Sequence, residues 1–301
     1  MERDEIADVD CARSSLMNRK SFNVTVIQPA TYVHSLALKE AADYIAATLL
    51  ACGQTTARTT NQLGRNAHNI IFCAHKLRHE DIAKIPSDSI IFNSEQLEDP
   101  DAWSPQARAY QEMLSRVFVW DYSPRNLDKI THQNKCLIPF RYCKELLRPD
   151  IKREQGSSLL FYGAATLRRA RILEELRSSG VPVEVLFGQY GAQRDARLMR
   201  SWAVLNLHKS DDTAAFEPIR CFYPLINAVP IISEDAEDTT ADAFRSAVFF
   251  FDQPSLIDGV KSLYSDPQSF GERSRAMLDS FKQTSPVPDV AAAVDRFFQS
   301  L

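Results

Sequence analysis

Several sequence patterns that would point directly to a function are missing from this chain. Its 301 residues contain no GxSxG nucleophile elbow, no HExxH zinc motif, no complete GxGxxG and no Walker A phosphate loop. The six cysteines are scattered, without a CxxC pair or the spacing of a metal site. These absences exclude the enzyme classes that depend on those motifs, and they predict that no bound metal or other cofactor is needed.

The charge balance and the hydropathy exclude two further classes of protein. A formal net charge of −4 with interspersed acidic and basic residues gives no basic surface for nucleic acid. No apolar run approaches the ~20 residues of a membrane span, and the acidic start MERDEIADVD is unlike a signal peptide. With cysteines typical of reduced, packed thiols, we expect a cytoplasmic protein. The oligomeric state is not determined by these patterns.

What the chain does contain is a regular alternation of strand-like and helix-like segments. Strands are predicted at residues 22–27, 55–60, 69–74, 89–92, 117–120 and 135–138, and then at 158–162, 183–187, 203–207, 229–233 and 247–251. Strands that alternate with helices form parallel, doubly wound sheets. The predicted fold class is therefore α/β, with two similar Rossmann-like halves.

The same patterns divide the chain into four segments. Residues 1–21 are polar and without periodicity, which predicts a flexible N-terminus. Residues 22–150 and 156–285 are the two predicted domains, joined by a charged stretch that carries Pro149 and Gly156. Two C-terminal helices are predicted, split by the PVP at 286–288, and the segment 286–301 is a candidate to cross back to the first domain.

Four successive strands of the second domain end on glycine or polar residues. Ligands of open α/β sheets bind beyond the carboxyl ends of the strands, so these ends should face one crevice. The candidates for binding a ligand there are Tyr162, Gly163, Arg168, Arg169, Gly188, Tyr190, His208, Glu217, Arg220, Ser233 and Glu234.

The turn at Gly163 has the pattern of an anion site. A helix N-terminus attracts anions, and Arg168 and Arg169 in its first turn would oppose the helix dipole unless an anion lay between them. An ordinary βα turn is the alternative. After the next strand, Gly188 lets a ligand approach the backbone and Tyr190 could stack on a base or ribose, although a glycine-capped turn explains this loop equally well.

Glu217 and Arg220 follow at helical spacing. An intrahelical ion pair worth a few tenths of a kcal/mol is one interpretation of them. The other makes Arg220 the first-ranked ligand of a bound phosphate, ahead of Arg168 and Arg169. A phosphate would repel Glu217 and Glu234, so hydrogen bonds from hydroxyl groups of the ligand are the role predicted for these carboxylates. Asp211-Asp212 is interpreted as a solvated loop start, and no metal ligands are predicted.

In the first domain, His34, His75, Glu95 and Asp121 each follow a predicted strand. A single polar residue at a strand end is more often structural than catalytic. His75 is the weaker candidate because its sequence neighbours offer it no polar partner, and Asp121 because it could simply cap the following turn. Glu95, flanked by Asn93 and Gln96, is the favoured catalytic base, with His34 second.

The run FYGAATLRRARILEELRSSGVPVEVLFGQYGAQRDARLMRSWAVLNLH, followed by FEPIRCFYPLINAVPIISE, resembles the nucleotide-sugar half of a GT-B glycosyltransferase. More narrowly it resembles the bacterial and viral group with F-E-x-x-R before a P-V-V-S-E strand. IIFNSEQLED and VFVWDYSPRN are similar to that group's first-domain strand ends. The resemblance covers about residues 22 to 285.

The resemblance implies two Rossmann-like domains that face a central cleft, with a nucleotide-sugar donor on the C-terminal one and metal-independent transfer. Several inverting enzymes of this fold place a histidine base where His34 lies. The chain departs from the E-x7-E pair of many retaining enzymes, because Tyr223 stands where the second glutamate would be. Stereochemistry, sugar, base and acceptor stay open. The predicted function is a hexosyl-type glycosyltransferase; a nucleotide-sugar epimerase and a non-catalytic nucleotide-sugar-binding subunit are the alternatives.

Overall fold

The computed structural model describes residues 19–97, 105–154, 156–210, 215–236 and 244–301. Most of the predicted flexible N-terminus and the pair Asp211-Asp212 lie outside the described residues. The described chain forms two parallel sheets with helices around them. The predicted α/β fold with two Rossmann-like units is therefore confirmed.

The first sheet has six parallel strands in the order β2-β1-β3-β4-β5-β6. They are β1 Ser21–Val26, β2 Thr55–Thr60, β3 His68–Phe72, β4 Ile90–Asn93, β5 Phe118–Asp121 and β6 Lys135–Leu137. Every residue of β4 and β5 is buried. Such continuous apolar burial is the mark of a parallel sheet that is covered on both faces.

The second sheet has five parallel strands in the order β11-β10-β9-β7-β8. They are β7 Leu159–Tyr162, β8 Val183–Leu186, β9 Ala203–Asn206, β10 Ile231–Glu234 and β11 Val248–Phe251. In both sheets the first strand along the chain lies inside the sheet, β1 between β2 and β3, and β7 between β8 and β9. The chain switches direction there, and a crevice opens beyond the strand ends at such a point.

The helices of the described chain are α1 Lys39–Ala51, α2 His79–Ile82, α3 Pro105–Leu114, α4 Pro124–Asp128, α5 Leu167–Ser178, α6 Ala192–Leu198, α7 Pro218–Ile226, α8 Leu256–Ser265, α9 Pro267–Lys282 and α10 Val287–Gln299. Side-chain caps fix three of the starts, because Ser123, Thr166 and Asp266 each accept a hydrogen bond from a backbone N–H three residues on. None of these helices is long and apolar enough to cross a bilayer.

The short helix α4 ends at Asp128, where the ammonium of Lys135 bonds to the carbonyl oxygen of Leu127 at 2.6 Å. One helix prediction was wrong. The C-terminal region holds three helices rather than two. The cap at Asp266 and Pro267 behind it start a new helix where the pattern had suggested a continuous one.

The last helix, α10, packs on the first sheet although it follows the second in the chain. Arg141 Nε donates to Asp289 Oδ2 at 2.6 Å, and the ring of Phe297 lies 5.4 Å from those of His68 and Phe118. Val290 and Phe297 are fully buried in this contact. The C-terminal helix therefore ties the two units together.

The stretch that joins the two units is held against the second of them. Arg153 Nη1 donates to the carbonyl oxygen of Met199 at 2.8 Å, and the amide of Glu154 donates to the same oxygen at 2.9 Å. A Cβ on Gly156 would lie 2.1 Å from the carbonyl oxygen of Arg200. Glycine is required at this position because two backbone segments touch.

Candidate active site

A cavity of about 330 Å³ opens between the two sheets at both switch points. Nine of the residues predicted from the sequence line it: His34, His75, Glu95, Tyr162, Gly163, Gly188, Tyr190, Glu217 and Arg220. Six do not: Asp121, Arg168, Arg169, His208, Ser233 and Glu234. The rule that ligands bind beyond the carboxyl ends of strands thus identified the edge of both sheets at which the cavity opens. It did not distinguish the residues that line the cavity from those that are buried behind them.

Side-chain contacts join the two units around this cavity. His34 Nδ1 and Tyr190 Oη are hydrogen bonded at 2.6 Å, and Tyr122 Oη donates to Glu217 Oε1 at 3.1 Å. A third contact, from Arg194 Nη2 to Glu40 Oε1 at 2.8 Å, is an ion pair. The structure therefore shows the cleft with its two walls in contact.

Glu95 projects from the first unit into the cavity on a fixed loop. Its amide donates to Asn93 Oδ1 at 3.1 Å, and Asn93 Nδ2 donates to its carbonyl oxygen at 2.9 Å. Tyr110 Oη donates to the same Asn93 oxygen at 2.7 Å. The side chain of Glu95 is 46% exposed, but it opens into the cavity and not onto the outer surface. The backbone is pinned while the carboxylate stays accessible to a ligand.

The neighbours of Glu95 decide which group can take up a proton near neutral pH. Burial in the cleft and then the charge of Glu217 raise the pKa of Glu95 to about 7. His75 Nε2 lies 3.3 Å from Glu95 Oε1, and burial lowers the pKa of His75 to about 4. The sequence offered His75 no polar partner, but the adjacent strand supplies one. The contact with His75 Nε2 orients the carboxylate of Glu95.

Asp121, a candidate in the sequence, is fully buried and does not reach the cavity. It accepts hydrogen bonds from Asn93 Nδ2 at 2.6 Å, from the amide of Ser123 at 2.8 Å and from Asn126 Nδ2 at 3.3 Å. Burial raises its pKa to about 7 against these bonds. Asp121 holds the loops after β4 and β5 together and so supports the position of Glu95.

The two arginines in the first turn of α5, Arg168 and Arg169, form hydrogen bonds with other groups of the protein. Arg169 is 5% exposed and donates to the carbonyl oxygens of Ala164, Leu207 and His208 at 2.8–3.0 Å. Burial, followed by the charge of Arg220, lowers the pKa of Arg169 to about 10. Its donors are used by the backbone, so the structure does not place Arg169 as the phosphate ligand that the sequence suggested.

Arg168 forms a bidentate ion pair with Glu234 at the end of β10. Nη1 lies 2.9 Å from Oε2, and Nη2 lies 2.5 Å from Oε1. Glu234, 1% exposed, also accepts the amide of His208 at 2.6 Å. The predicted contact of Glu234 with sugar hydroxyls and of Arg168 with phosphate is therefore not what the structure shows. Arg168 and Glu234 together hold the ends of β9 and β10 in place, behind the residues that line the cavity.

His208 and Ser233 belong to the same supporting layer. His208 is 7% exposed, and burial lowers the pKa of its ring. Ser233 Oγ accepts a hydrogen bond from Asn206 Nδ2 at 2.9 Å. Asn206 Oδ1 in turn accepts from Arg220 Nη1 at 2.6 Å. Through this chain of bonds, the buried layer sets the position of a residue that does line the cavity.

Arg220 is the predicted cation that the structure presents to the cavity. Its guanidinium lies across the turn at Gly163, where a Cβ would come within 3.0 Å of Nη2. Gly163 has φ +150°, a conformation that side chains rarely adopt. A glycine here lets the arginine cross the backbone turn at the N-terminal side of α5. Of the three arginines predicted to lie at this turn, Arg220 is the one that lines the cavity, whereas Arg168 and Arg169 do not.

Glu217 stands at the first position before α7, beside Arg220 in the wall. Burial raises its pKa above the ordinary value, although the charge of Arg220 works in the opposite direction. Oε1 accepts from Tyr122 of the first unit. A half-buried carboxylate with one oxygen already engaged is suited to accept hydroxyl groups with the other.

Eleven residues that line the cavity were not candidates in the sequence, among them Tyr32, Ser94, Phe187, Gln189 and Arg194. Arg194 is 5% exposed and bonds to Glu40 and Asp195. In the sequence it reads as an ordinary helical arginine. Its place in the turn after Gly191, directly behind a strand end, is the signal that could have found it. Phe187 and Gln189 flank a glycine that was already a candidate.

In the described part of the chain, no group of three or more His, Cys, Asp or Glu side chains is arranged to hold a metal ion.

The chain is similar in sequence to two proteins of Acanthamoeba polyphaga mimivirus. "Uncharacterized protein L137" is 26% identical over 182 residues, which cover 58% of this chain and 24% of that protein. "Uncharacterized protein L140" is 25% identical over 207 residues, 66% of each chain. This chain thus spans less than two thirds of either relative. No protein-family model matches it.

Solved structures resemble this chain over more than nine tenths of its length. HepE of Anabaena, crystallised with UDP and glucose, matches with a TM-score of 0.57 at 11% identity, over 93% of this chain and 100% of that one. Sucrose-phosphate synthase of Thermosynechococcus elongatus has a TM-score of 0.54 at 9% identity, over 94% and 99%. BGT of phage T4, with its UDP-glucose substrate, has a TM-score of 0.50 at 12% identity, over 93% and 98%. The two sheets and their helices therefore have the GT-B fold of these glycosyltransferases.

Proposed function

We propose that this protein is a metal-independent glycosyltransferase, of the hexosyl type, that moves a sugar from a nucleotide-sugar donor to an acceptor. One observation carries the proposal: a single cavity has the cation of Arg220 on the wall of the second unit and the carboxylate of Glu95 on the wall of the first. Transfer from a nucleoside diphosphate needs both a site for the departing anion and a proton acceptor opposite it. The solved neighbours that hold UDP with glucose, or UDP-glucose, support the donor class.

The donor diphosphate lies, in this proposal, at the turn after β7. Gly163 lets phosphate oxygens approach the backbone, the helix α5 with the positive end of its dipole begins four residues further on, and Arg220 supplies the charge. As the bond from the sugar to the diphosphate breaks, negative charge grows on the leaving oxygen. Arg220 and these fixed dipoles stabilise that charge, which is the task a metal ion performs in other transferases.

The rest of the donor extends along the second unit. Tyr190 and Phe187, on the loop after β8, offer aromatic faces for the base or ribose, and Glu217 accepts hydrogen bonds from ribose or sugar hydroxyls. Arg194, which is paired with Glu40 and Asp195, follows this loop and connects it to the first unit. Glu95 faces them from the first unit and takes the proton of the acceptor hydroxyl as its oxygen attacks the sugar.

The first experiment is a screen of nucleoside diphosphates by thermal shift, followed by turnover of the matching nucleotide sugars with and without a mixture of acceptors. A ligand at ~100 times its dissociation constant stabilises the folded chain by ~2.7 kcal/mol. Sugar transferred only when acceptor is present supports a transferase. Conversion of the donor alone would indicate an epimerase, and binding without any turnover would indicate a non-catalytic subunit.

Removing the guanidinium of Arg220 should weaken nucleoside diphosphate binding. The loss of a charge-assisted hydrogen bond costs roughly 1.5–3 kcal/mol, so Arg220→Ala should raise the dissociation constant about 10- to 150-fold in titration calorimetry. Arg197→Ala is the matched control, because Arg197 is a 59% exposed arginine of the same unit, paired with Glu184. An Arg220→Ala protein that binds as tightly as wild type would place the diphosphate elsewhere.

The rate should depend on pH through Glu95. Its pKa is about 7 in the structure, and a general base must be ionised. We expect kcat/KM to rise as the pH increases through about 7 and to fall as the pH drops below it. Asp121 has a similar pKa, so the profile must be compared with that of Glu95→Gln. Loss of the acidic limb in this variant assigns the limb to Glu95; an unchanged limb would assign it to another group.

A further inference from the structure

A second cavity, of about 490 Å³, lies in the first unit beside the candidate active site. It opens at the same sheet edge, beyond the ends of β1 and β2, and the segment 76–85 that follows β3 closes it. The loop after β1 separates the two cavities: Pro29 and Ala30 face the second one, and Tyr32 faces the candidate active site. None of the proposed donor contacts uses this space.

The lining of the second cavity is apolar with a cationic rim. Its floor consists of aliphatic side chains, among them Ile27, Leu63, Ile71, Leu77 and Ile85. Around them stand the cations of Lys76, Arg78 and Lys84 and a single carboxylate, that of Asp81. A ligand with an apolar body and a negative group would match both features.

The three cations are not equivalent. Arg78 is neutralised by Glu80 at 2.6 Å and by Asp81 at 2.8 Å, and Asp81 also holds Lys84 at 2.8 Å. Lys76 has no carboxylate within ion-pair distance among the side chains that the structure describes. Its ammonium lies 4.2 Å from the centre of the Tyr32 ring. This stacking holds the ammonium at the boundary between the two cavities, where its charge opposes the rise in the pKa of Glu95.

Lys76 also connects the cavity to the reacting groups. It follows His75, which contacts Glu95, and its aromatic partner Tyr32 lines the candidate active site. A molecule that fills the second cavity and reaches past Lys76 therefore arrives at the carboxylate proposed to take the acceptor's proton. The donor contacts lie on the opposite wall, so donor and acceptor would not compete for space.

We propose that the second cavity binds the far end of the acceptor, and that this acceptor is a small molecule with an apolar body and an anionic group, a carboxylate or a phosphate, held by Lys76. The interpretation as an acceptor site rests on the proposed function. Binding of an aromatic anion to the cavity does not depend on sugar transfer, so the two can fail separately.

Phenyl phosphate is the probe, titrated into the full chain in the presence of saturating UDP so that the donor site is filled. Lys76→Met should weaken its binding about tenfold or more, since one charge-assisted contact is lost. Lys76→Arg should keep most of the affinity. Lys261→Met, which removes a lysine of α8 in the second unit, should keep all of it. Benzoate and benzyl alcohol, titrated in parallel, separate a carboxylate preference from a phosphate preference and from binding of the ring alone.

Three outcomes would overturn the inference: no binding of phenyl phosphate or benzoate to the wild type, displacement of the probe by UDP, or equal affinity in wild type and Lys76→Met. Benzyl alcohol binding as tightly as the anions would also overturn it, because the cavity would then select only the ring. If UDP itself does not bind, the proposed function fails, and the same titrations without UDP still test the anion site.

Discussion

Replacing Glu95 with glutamine is expected to lower the rate of sugar transfer by roughly 10²- to 10⁴-fold, the usual contribution of a general base. Glutamine keeps the shape of the side chain but cannot accept the acceptor's proton. The loop is held through backbone bonds to Asn93, so the fold should not change. Nucleotide affinity should stay at the wild-type value, because Glu95 lies on the wall opposite Arg220. Single-turnover kinetics and calorimetry measure the two quantities separately.

Glu112→Gln is the control, because Glu112 is 57% exposed and lies on α3 of the same unit, outside the cavity. His34→Ala is the rival variant. His34 is bonded to Tyr190 of the other unit, so its loss should change donor binding more than the rate. If His34→Ala abolishes turnover and Glu95→Gln does not, the histidine is the base. If both variants turn over normally, a retaining mechanism without such a base becomes the better hypothesis.

Replacing Arg168 with methionine is expected to destabilise the second unit by roughly 3–5 kcal/mol. The change removes the bidentate partner of the Glu234 carboxylate, which is 1% exposed. Breaking a buried ion pair from one side costs more than the pair contributes, since a charge then stays desolvated and alone. The melting temperature of this unit should fall by roughly 10 °C or more. Scanning calorimetry measures it.

The control for this change lies on the same helix. Arg177, 42% exposed, pairs with Glu174 at 3.5 Å, and Arg177→Met should cost less than about 1 kcal/mol. The double variant of Arg168→Met with Glu234→Met should recover part of the loss, because no charge is then left buried. An Arg168→Met protein of wild-type stability that no longer binds nucleotide would contradict the structural role and restore the sequence-based one.

The pattern of the sequence was sufficient for the architecture. Buried parallel strands are read from short apolar runs, and their alternation with helices allows few arrangements. The rule that ligands bind beyond the carboxyl ends of strands then placed Glu95, Glu217 and Arg220 near one another without any coordinates. These inferences succeed because the hydrophobic period of a segment and the alternation of strands and helices depend on residues that are neighbours in the sequence.

The identity of neighbouring residues in the sequence could not distinguish a residue that lines the cavity from one that is buried behind it. Arg168 and Arg220 are both arginines beyond strand ends, but Arg168 meets Glu234, 66 positions away, and turns inward. Arg194, which was overlooked, gains its place through Glu40, 154 positions away. His75 gains a partner because β3 and β4 are neighbours in the sheet.

By itself, then, the sequence determined the fold class, the parallel sheets and the edge at which the cavity opens. Only the tertiary structure decided which of the charged residues at that edge are paired inside the protein and which remain available to a substrate. The reason is physical. A buried charge must be paired, and its partner is whatever side chain the folded chain brings within about 3 Å, however distant it is in sequence.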